Sequence, residues 1–135
     1  MKKYTLNYKS NKNIVYSYKY HMIWCPKDRK KLLINGVDNQ LKHIAKEVCD
    51  ECLADLLEIE VMPDHVHILV EVDPQFGIHR LIKRIKEKSS RILRKEHKFL
   101  RSRISTLWSN SYFVTKLGGA PLQIIKEYIQ DQKNA

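Results

Sequence analysis

Residues 54–72, ADLLEIEVMPDHVHILVEV, constrain the fold more than any other stretch of the chain. They read as two alternating runs joined by Pro63-Asp64, a turn signal. Side chains on a strand alternate faces with period two. Leu57, Ile59 and Val61 therefore form one face of the first run, and Glu58, Glu60 and Met62 the other. In the second run Val66, Ile68, Val70 and Val72 share one face, and His65, His67, Leu69 and Glu71 the opposite one. So short a connection makes the pair an antiparallel hairpin. The wholly apolar face must pack on the core, which sends both histidines to the other side of the sheet.

The remaining elements follow from periodicity and punctuation. Residues 16–25, YSYKYHMIWC, alternate and read as a strand, followed by a basic turn over 26–31. Asp38 is placed to N-cap a helix running to about Cys52, with Leu41, Ile44, Ala45 and Val48 at helical spacing. A longer helix is expected over about 77–97, its buried stripe formed by Ile78, Leu81, Ile82, Ile85, Ile92 and Leu93. SNSYFVTKL, 109–117, reads as another strand, broken by Gly118-Gly119. Pro121 suits the first turn of a final helix over about 121–133. The first six elements make the β-α-β-β-α-β order of a ferredoxin-like α+β fold. In that fold an antiparallel sheet carries helices on one face and leaves the other open. The C-terminal helix is an addition to it.

The 135 residues suit a single domain over 1–135. No apolar run approaches the roughly 20 residues of a membrane span, and no apolar segment follows the basic N-terminus, so the cytoplasm is the expected location. Cys49 and Cys52 form a C-x-x-C, but no second pair completes a four-ligand zinc site. The pair reads as two residues one turn apart on an amphipathic helix, partly in the core.

Three patterns carry chemistry. His65 and His67 sit about 7 Å apart on one strand face, which suits one divalent metal held by neutral imidazoles. With a two-residue turn, Met62 faces His65 and Glu60 faces His67, so Glu60 is either a ligand or an orienter of one. Asp64, beside His65, is the alternative carboxylate. Near the C-terminus, Tyr128 and Gln132 lie four apart and share a helical face. A phenol titrates near pH 10 and attacks poorly at neutral pH unless its electrophile is polarised, which a nearby divalent metal can do. Finally, residues 80–103 hold eleven basic residues against two acidic ones, a net +9 within a chain whose total is +10. That is a phosphate-backbone footprint. Its leading candidates are Lys83, Arg84, Lys88, Arg91, Arg94 and Lys95, with Lys27 and Arg29 from the earlier basic turn. Trp108, Tyr112 and Phe113 are either stacking surfaces for unpaired bases or core. Each pattern alone also has a bland reading, as surface histidines, a half-buried tyrosine or a solvated face.

Together, and in this order, they are specific. YHMIWCPKDRKK, VMPDHVHILVE, KRIKEKSSRILR, LWSNSYFVTKLGG and EYIQDQ resemble the single-tyrosine HUH transposases, which move small insertion sequences as single-stranded DNA. The resemblance covers nearly the whole chain, and His65-Val66-His67 is its histidine-hydrophobic-histidine motif. It implies a Mg²⁺ or Mn²⁺ ion held by His65, His67 and Gln132. It also implies Tyr128 as a nucleophile that forms a 5′-phosphotyrosine link, and a hairpin-bearing single-stranded DNA substrate. The family's homodimers, in which the tyrosine helix can complete the partner's active site, give Gly118-Gly119 a role as a hinge. The competing expectations are a domesticated HUH nuclease processing repeated palindromes and a non-catalytic nucleic-acid-binding module.

Overall fold

The computed structural model describes residues 9–10, 15–16, 18–103, 106–116 and 122–133. Two-residue strands β1 (Lys9–Ser10) and β2 (Val15–Tyr16) pair as a small antiparallel ribbon. The main sheet uses β3 (Lys19–Trp24), β4 (Asp55–Met62), β5 (His65–Glu71) and β6 (Phe113–Lys116) in the order β4-β5-β3-β6. Every neighbouring pair is antiparallel. With α1 (Val37–Glu51) between β3 and β4, and α2 (Ile78–Glu96) and the short α3 (Lys98–Arg103) between β5 and β6, this is the expected ferredoxin-like α+β architecture. The last helix, α4, spans Leu122–Lys133. No helix among the described residues is long and apolar enough to cross a membrane.

The core lies between the sheet and helices α1 and α2. Met22 and Trp24 of β3 meet Val66, Ile68 and Val70 of β5, the alternate residues that periodicity assigns to one face. From the helices come Leu41, Ala45 and Val48 of α1 and Leu81, Ile82 and Ile85 of α2. Cys49 and Cys52 are buried free thiols. Burial pushes the Cys49 thiol up to about 12, so neither metal nor redox chemistry is favoured there.

Four boundaries differ from the sequence reading, each for a local reason. The strand expected from residue 16 splits: Tyr16 pairs with Lys9, and β3 begins at Lys19. Asp38 does not cap α1. Gly36 does, at φ 95°, and its carbonyl accepts from the Gln40 amide at 3.1 Å. A left-handed backbone there favours glycine, and Asp38 instead places its carboxylate in the first turn, where the helix dipole welcomes it. Leu57 does not share the core face with Ile59 and Val61. A bulge between Leu56 and Glu58 turns Leu56 inward and leaves Leu57 exposed. Of the strand expected over 109–117, residues 113–116 form β6 and 109–112 do not, because that earlier segment is fastened by other contacts, while Leu117 lies outside the described residues. Gly118, Gly119 and Pro121 lie outside the described residues.

Those contacts fasten an irregular segment over 106–112. Pro26 bridges to Trp108, the Lys27 amide donates to the Leu107 carbonyl at 2.9 Å, and the Ser109 amide donates to the Cys25 carbonyl at 2.9 Å. Trp108 packs edge-on against Trp24, and its Nε1 donates to the buried Ser89 Oγ at 3.0 Å. Ser89 donates in turn to the Ile85 carbonyl one turn back on α2. Ser89→Ala leaves the indole N–H buried without this acceptor. It is expected to lower unfolding stability by about 1–3 kcal/mol in a denaturant titration.

Candidate functional site

The β4–β5 turn puts the histidines where the sequence reading has them. Met62 pairs with His65 and Glu60 with His67. His65 Nδ1 donates to Asp64 Oδ1 at 2.8 Å, and Arg29 Nε donates to Asp64 Oδ2 at 2.7 Å. Burial alone would raise the Asp64 pKa, but the hydrogen bonds from His65 and Arg29 outweigh it and hold the carboxyl below its usual range. Asp64 therefore orients His65 and leaves Nε2 as that ring's outward nitrogen. Arg29 is committed to this carboxylate.

His67 has a partner that sequence reasoning missed. His21 on β3 stacks on it, ring centroids 5.1 Å apart, with His21 Nδ1 3.0 Å from His67 Nε2. Burial and His21 together lower the His67 pKa against the pull of Glu60 and Glu58, so the ring is neutral at neutral pH. A neutral imidazole is the form that binds metal. His21 obeys the same period-two rule as the pair, but its meeting with His67 depends on the register of β3 against β5.

Register also connects the histidines to α4. Phe113 pairs with Ile23, Ile23 with His67 and His67 with Glu60. Directly paired residues share a face, so these four form a row across the sheet face opposite the α1–α2 core. The Tyr128 ring lies against Phe113 at 5.4 Å between centroids. Two strand spacings, about 10 Å, thus separate the strand under Tyr128 from the strand of His67. The face expected to be open is in part occupied: α4 approaches the turn at Lys27–Arg29, and Ile23 is only 1% exposed.

Tyr128 and Gln132 meet over two serines. The Tyr128 hydroxyl is 3.0 Å from Ser111 Oγ. Gln132 Oε1 accepts from Ser111 Oγ at 2.8 Å and from Ser109 Oγ at 2.9 Å. Burial raises the phenol pKa, so Tyr128 is protonated at neutral pH. Neither serine was singled out by sequence, where they read as the start of a strand. Among the described residues no hydrogen bond joins Tyr128 or Gln132 to His65 or His67. No group of three or more His, Cys, Asp or Glu there is arranged to hold a metal ion. Groups of the kind a divalent ion takes are the ring nitrogens of His65 and His67 and, from α4, the amide oxygen of Gln132, which here accepts from the two serines. Glu60 stands exposed opposite His67.

The basic residues divide by partner. Lys88 bridges to Glu47 and Glu51 of α1. Arg94 is half-buried, and its carbonyl accepts from Arg101. Lys27, Lys83, Arg84, Arg91 and Lys95 are exposed. Lys83, Arg84 and Arg91 line a groove of about 1220 Å³ whose other wall includes Trp108, Asn110 and Tyr112. Of the three aromatic candidates, Trp108 is buried, Tyr112 is bound to His79 at 2.8 Å, and Phe113 carries Tyr128.

Comparison with known proteins gives a consistent answer. Residues 14–132 match the family described as "Transposase IS200 like". The ISDra2 transposase TnpA of Deinococcus radiodurans is 32% identical over 129 residues, covering 94% of this chain and 92% of that protein. The transposase for insertion sequence element IS200 of Salmonella typhimurium is 27% identical over 116 residues, covering 84% and 76%. Among solved structures, a Deinococcus radiodurans chain assigned as a transposase superposes with a TM-score of 0.81 at 31% identity, covering 92% of this chain and 97% of that one. A REP-associated tyrosine transposase bound to a REP hairpin shares the fold, with a TM-score of 0.56 at 12% identity, over 96% of this chain and 68% of that one. The chain belongs to the IS200-like transposase family.

Proposed function

We propose that this transposase is a metal-dependent single-strand DNA transferase that cleaves and rejoins hairpin-marked ends through Tyr128. The observation that carries the reading is the arrangement on one sheet face. A protonated phenol and an amide oxygen one turn apart on α4 stand two strands from a pair of imidazoles on one strand face. A Mg²⁺ or Mn²⁺ ion held by His65 and His67, and by Gln132 once its amide oxygen exchanges a serine hydrogen bond for the ion, would supply Lewis-acid polarisation of the scissile phosphate. Tyr128 then loses its proton and attacks phosphorus. The bond to the 3′ oxygen breaks, that oxygen takes up a proton, and a 5′-phosphotyrosine remains. Attack by a 3′-hydroxyl reverses the step and joins strands, with no nucleotide cofactor needed because the phosphodiester energy is kept in the link. The His65–Asp64–Arg29 chain fixes one imidazole, and burial keeps the other neutral.

The test is a denaturing gel of protein with labelled single-stranded DNA from the regions flanking its own gene, with Mg²⁺ or Mn²⁺. A covalent protein–DNA band that EDTA removes is expected. Tight hairpin binding without a band, unchanged by EDTA, would replace the enzyme with a binding module. A homodimer exchanging α4 between subunits belongs to the same proposal, and mixing a Tyr128 variant with a His67 variant tests it by restored cleavage.

The DNA footprint is the α2 groove. Replacing Lys83, Arg84 and Arg91 together with Gln is expected to reduce the salt slope of binding, log K against log[salt], by about 2, at ~0.7 per phosphate contact for single strands. Lys88→Gln, already paired with Glu47 and Glu51, is expected to leave that slope nearly unchanged. Fluorescence anisotropy across a salt series reads both.

A further inference from the structure

The hydroxyls around α4 have a forced order. An amide oxygen only accepts, and each serine has a single hydroxyl proton. Ser111 and Ser109 each spend theirs on Gln132 Oε1. The 3.0 Å contact between Ser111 Oγ and the Tyr128 hydroxyl therefore has the phenol as donor. A phenol that donates keeps its lone pairs free, and those lone pairs are what a nucleophile needs. One that accepted from Ser111 would spend a lone pair on it.

The support beneath these contacts is unusually well tied for a segment with no regular structure. Lys86, half-buried on α2, donates to the Ser109 carbonyl at 2.7 Å and lies 3.5 Å from the Ser111 carbonyl. The Ser109 amide is tied to Cys25 and the Leu107 carbonyl to Lys27. Trp108, between them, is anchored on Ser89. The two serines thus project from a segment fixed to both β3 and α2, and a side chain acts with precision when its support is rigid.

We propose that Ser111 is a positioning residue for the nucleophile, with Ser109 and Lys86 as its supports. By accepting from the phenol and donating to Gln132 Oε1, Ser111 sets the direction of the Tyr128 oxygen and of the amide one turn later from a single atom outside α4. This rests on Tyr128 being the nucleophile, and the test separates the two ideas.

Ser111→Ala, Ser111→Thr and Ser109→Ala would be compared in single-turnover DNA cleavage and in DNA affinity. They would also be compared by ¹⁹F NMR of 3-fluorotyrosine-labelled protein, with the Tyr128 line assigned through Tyr128→Phe. Ser111→Ala is expected to slow cleavage about tenfold or more, the scale of one lost hydrogen bond. DNA affinity stays at the wild-type value, and the Tyr128 line moves. Ser111→Thr keeps the hydroxyl and restores both the rate and the line. Ser109→Ala has the smaller effect, because Ser111 still holds Gln132. Wild-type cleavage by Ser111→Ala with an unmoved Tyr128 line overturns the proposal. A DNA affinity that falls in step with the rate overturns it too, since the serine would then serve binding. If the wild type forms no covalent adduct at all, the nucleophile reading fails instead, while the ¹⁹F line still reports whether Ser111 orients the ring.

Discussion

Tyr128→Phe is expected to abolish the covalent protein–DNA adduct while leaving the fold and DNA affinity intact. The substitution deletes one oxygen and nothing else. The ring keeps its contact with Phe113 at 5.4 Å, and among the described residues the hydroxyl's hydrogen bond is to Ser111. Exchange of a single neutral hydrogen bond costs about 0.5–1.5 kcal/mol, so a thermal melt should shift little. The chemical loss is of another order: deletion of a nucleophile in other enzymes costs on the order of 10⁶-fold. Because burial raises the Tyr128 pKa, the wild-type phenol carries its proton at neutral pH. Its rate should therefore rise with pH toward the phenol's range, and Tyr128→Phe should show no such rise. Residual cleavage by the variant at wild-type rate would mean that another group, or water, attacks the phosphate.

What the sequence made visible was whatever is set by neighbours along the chain. The β4–β5 hairpin was legible because alternation and a two-residue turn fix both faces and register at once, and Glu60 faces His67 as that register requires. The stripe of Leu81, Ile82 and Ile85 likewise gave α2 its length and buried face. Features fixed by contacts far along the chain were hidden. The bulge that exposes Leu57 is a property of β4 against β5 and leaves no mark in a stretch that alternates well on paper. Gly36 took the cap because the chain turns through a left-handed conformation there, whereas Asp38 only matched the usual capping residue type.

The site divides the same way. His65, His67, Tyr128 and Gln132 are local pairs, two or four apart, and could be read directly. His21 comes from β3, 46 residues before His67, and Ser111 is 17 residues before Tyr128. Both are ordinary residues until the sheet register and the docking of α4 bring them in. Net charge told which helix carries the basic face, but not which cations have partners. Lys88 is held by Glu47 and Glu51, and Arg29 by Asp64, so neither is available to a phosphate on the same terms as Lys83 or Arg91.

His67→Ala should separate chemistry from DNA binding. The ring is half-buried, stacked on His21 and bonded to it at 3.0 Å. Removing it costs one hydrogen bond and some packing, about 1 kcal/mol. It takes no positive charge from the DNA surface, since burial keeps this imidazole neutral. Hairpin affinity should therefore stay within about twofold of wild type, because no phosphate contact is lost. Cleavage should fall by at least about 10²-fold, the scale of losing one electrostatic group aimed at a reacting centre. Mn²⁺ binding, followed by electron paramagnetic resonance without DNA, should weaken in parallel, which gives a readout independent of turnover. Asp64→Asn is the informative companion. It keeps an oxygen for His65 Nδ1 but removes the charge that ties Arg29 to the turn, and a lost orienter of a ligating histidine typically costs about 10–100-fold in metal affinity. Should His67→Ala lose hairpin binding together with cleavage, the histidines would belong to the fold or the DNA contact, and the metal would have to be sought elsewhere on the sheet.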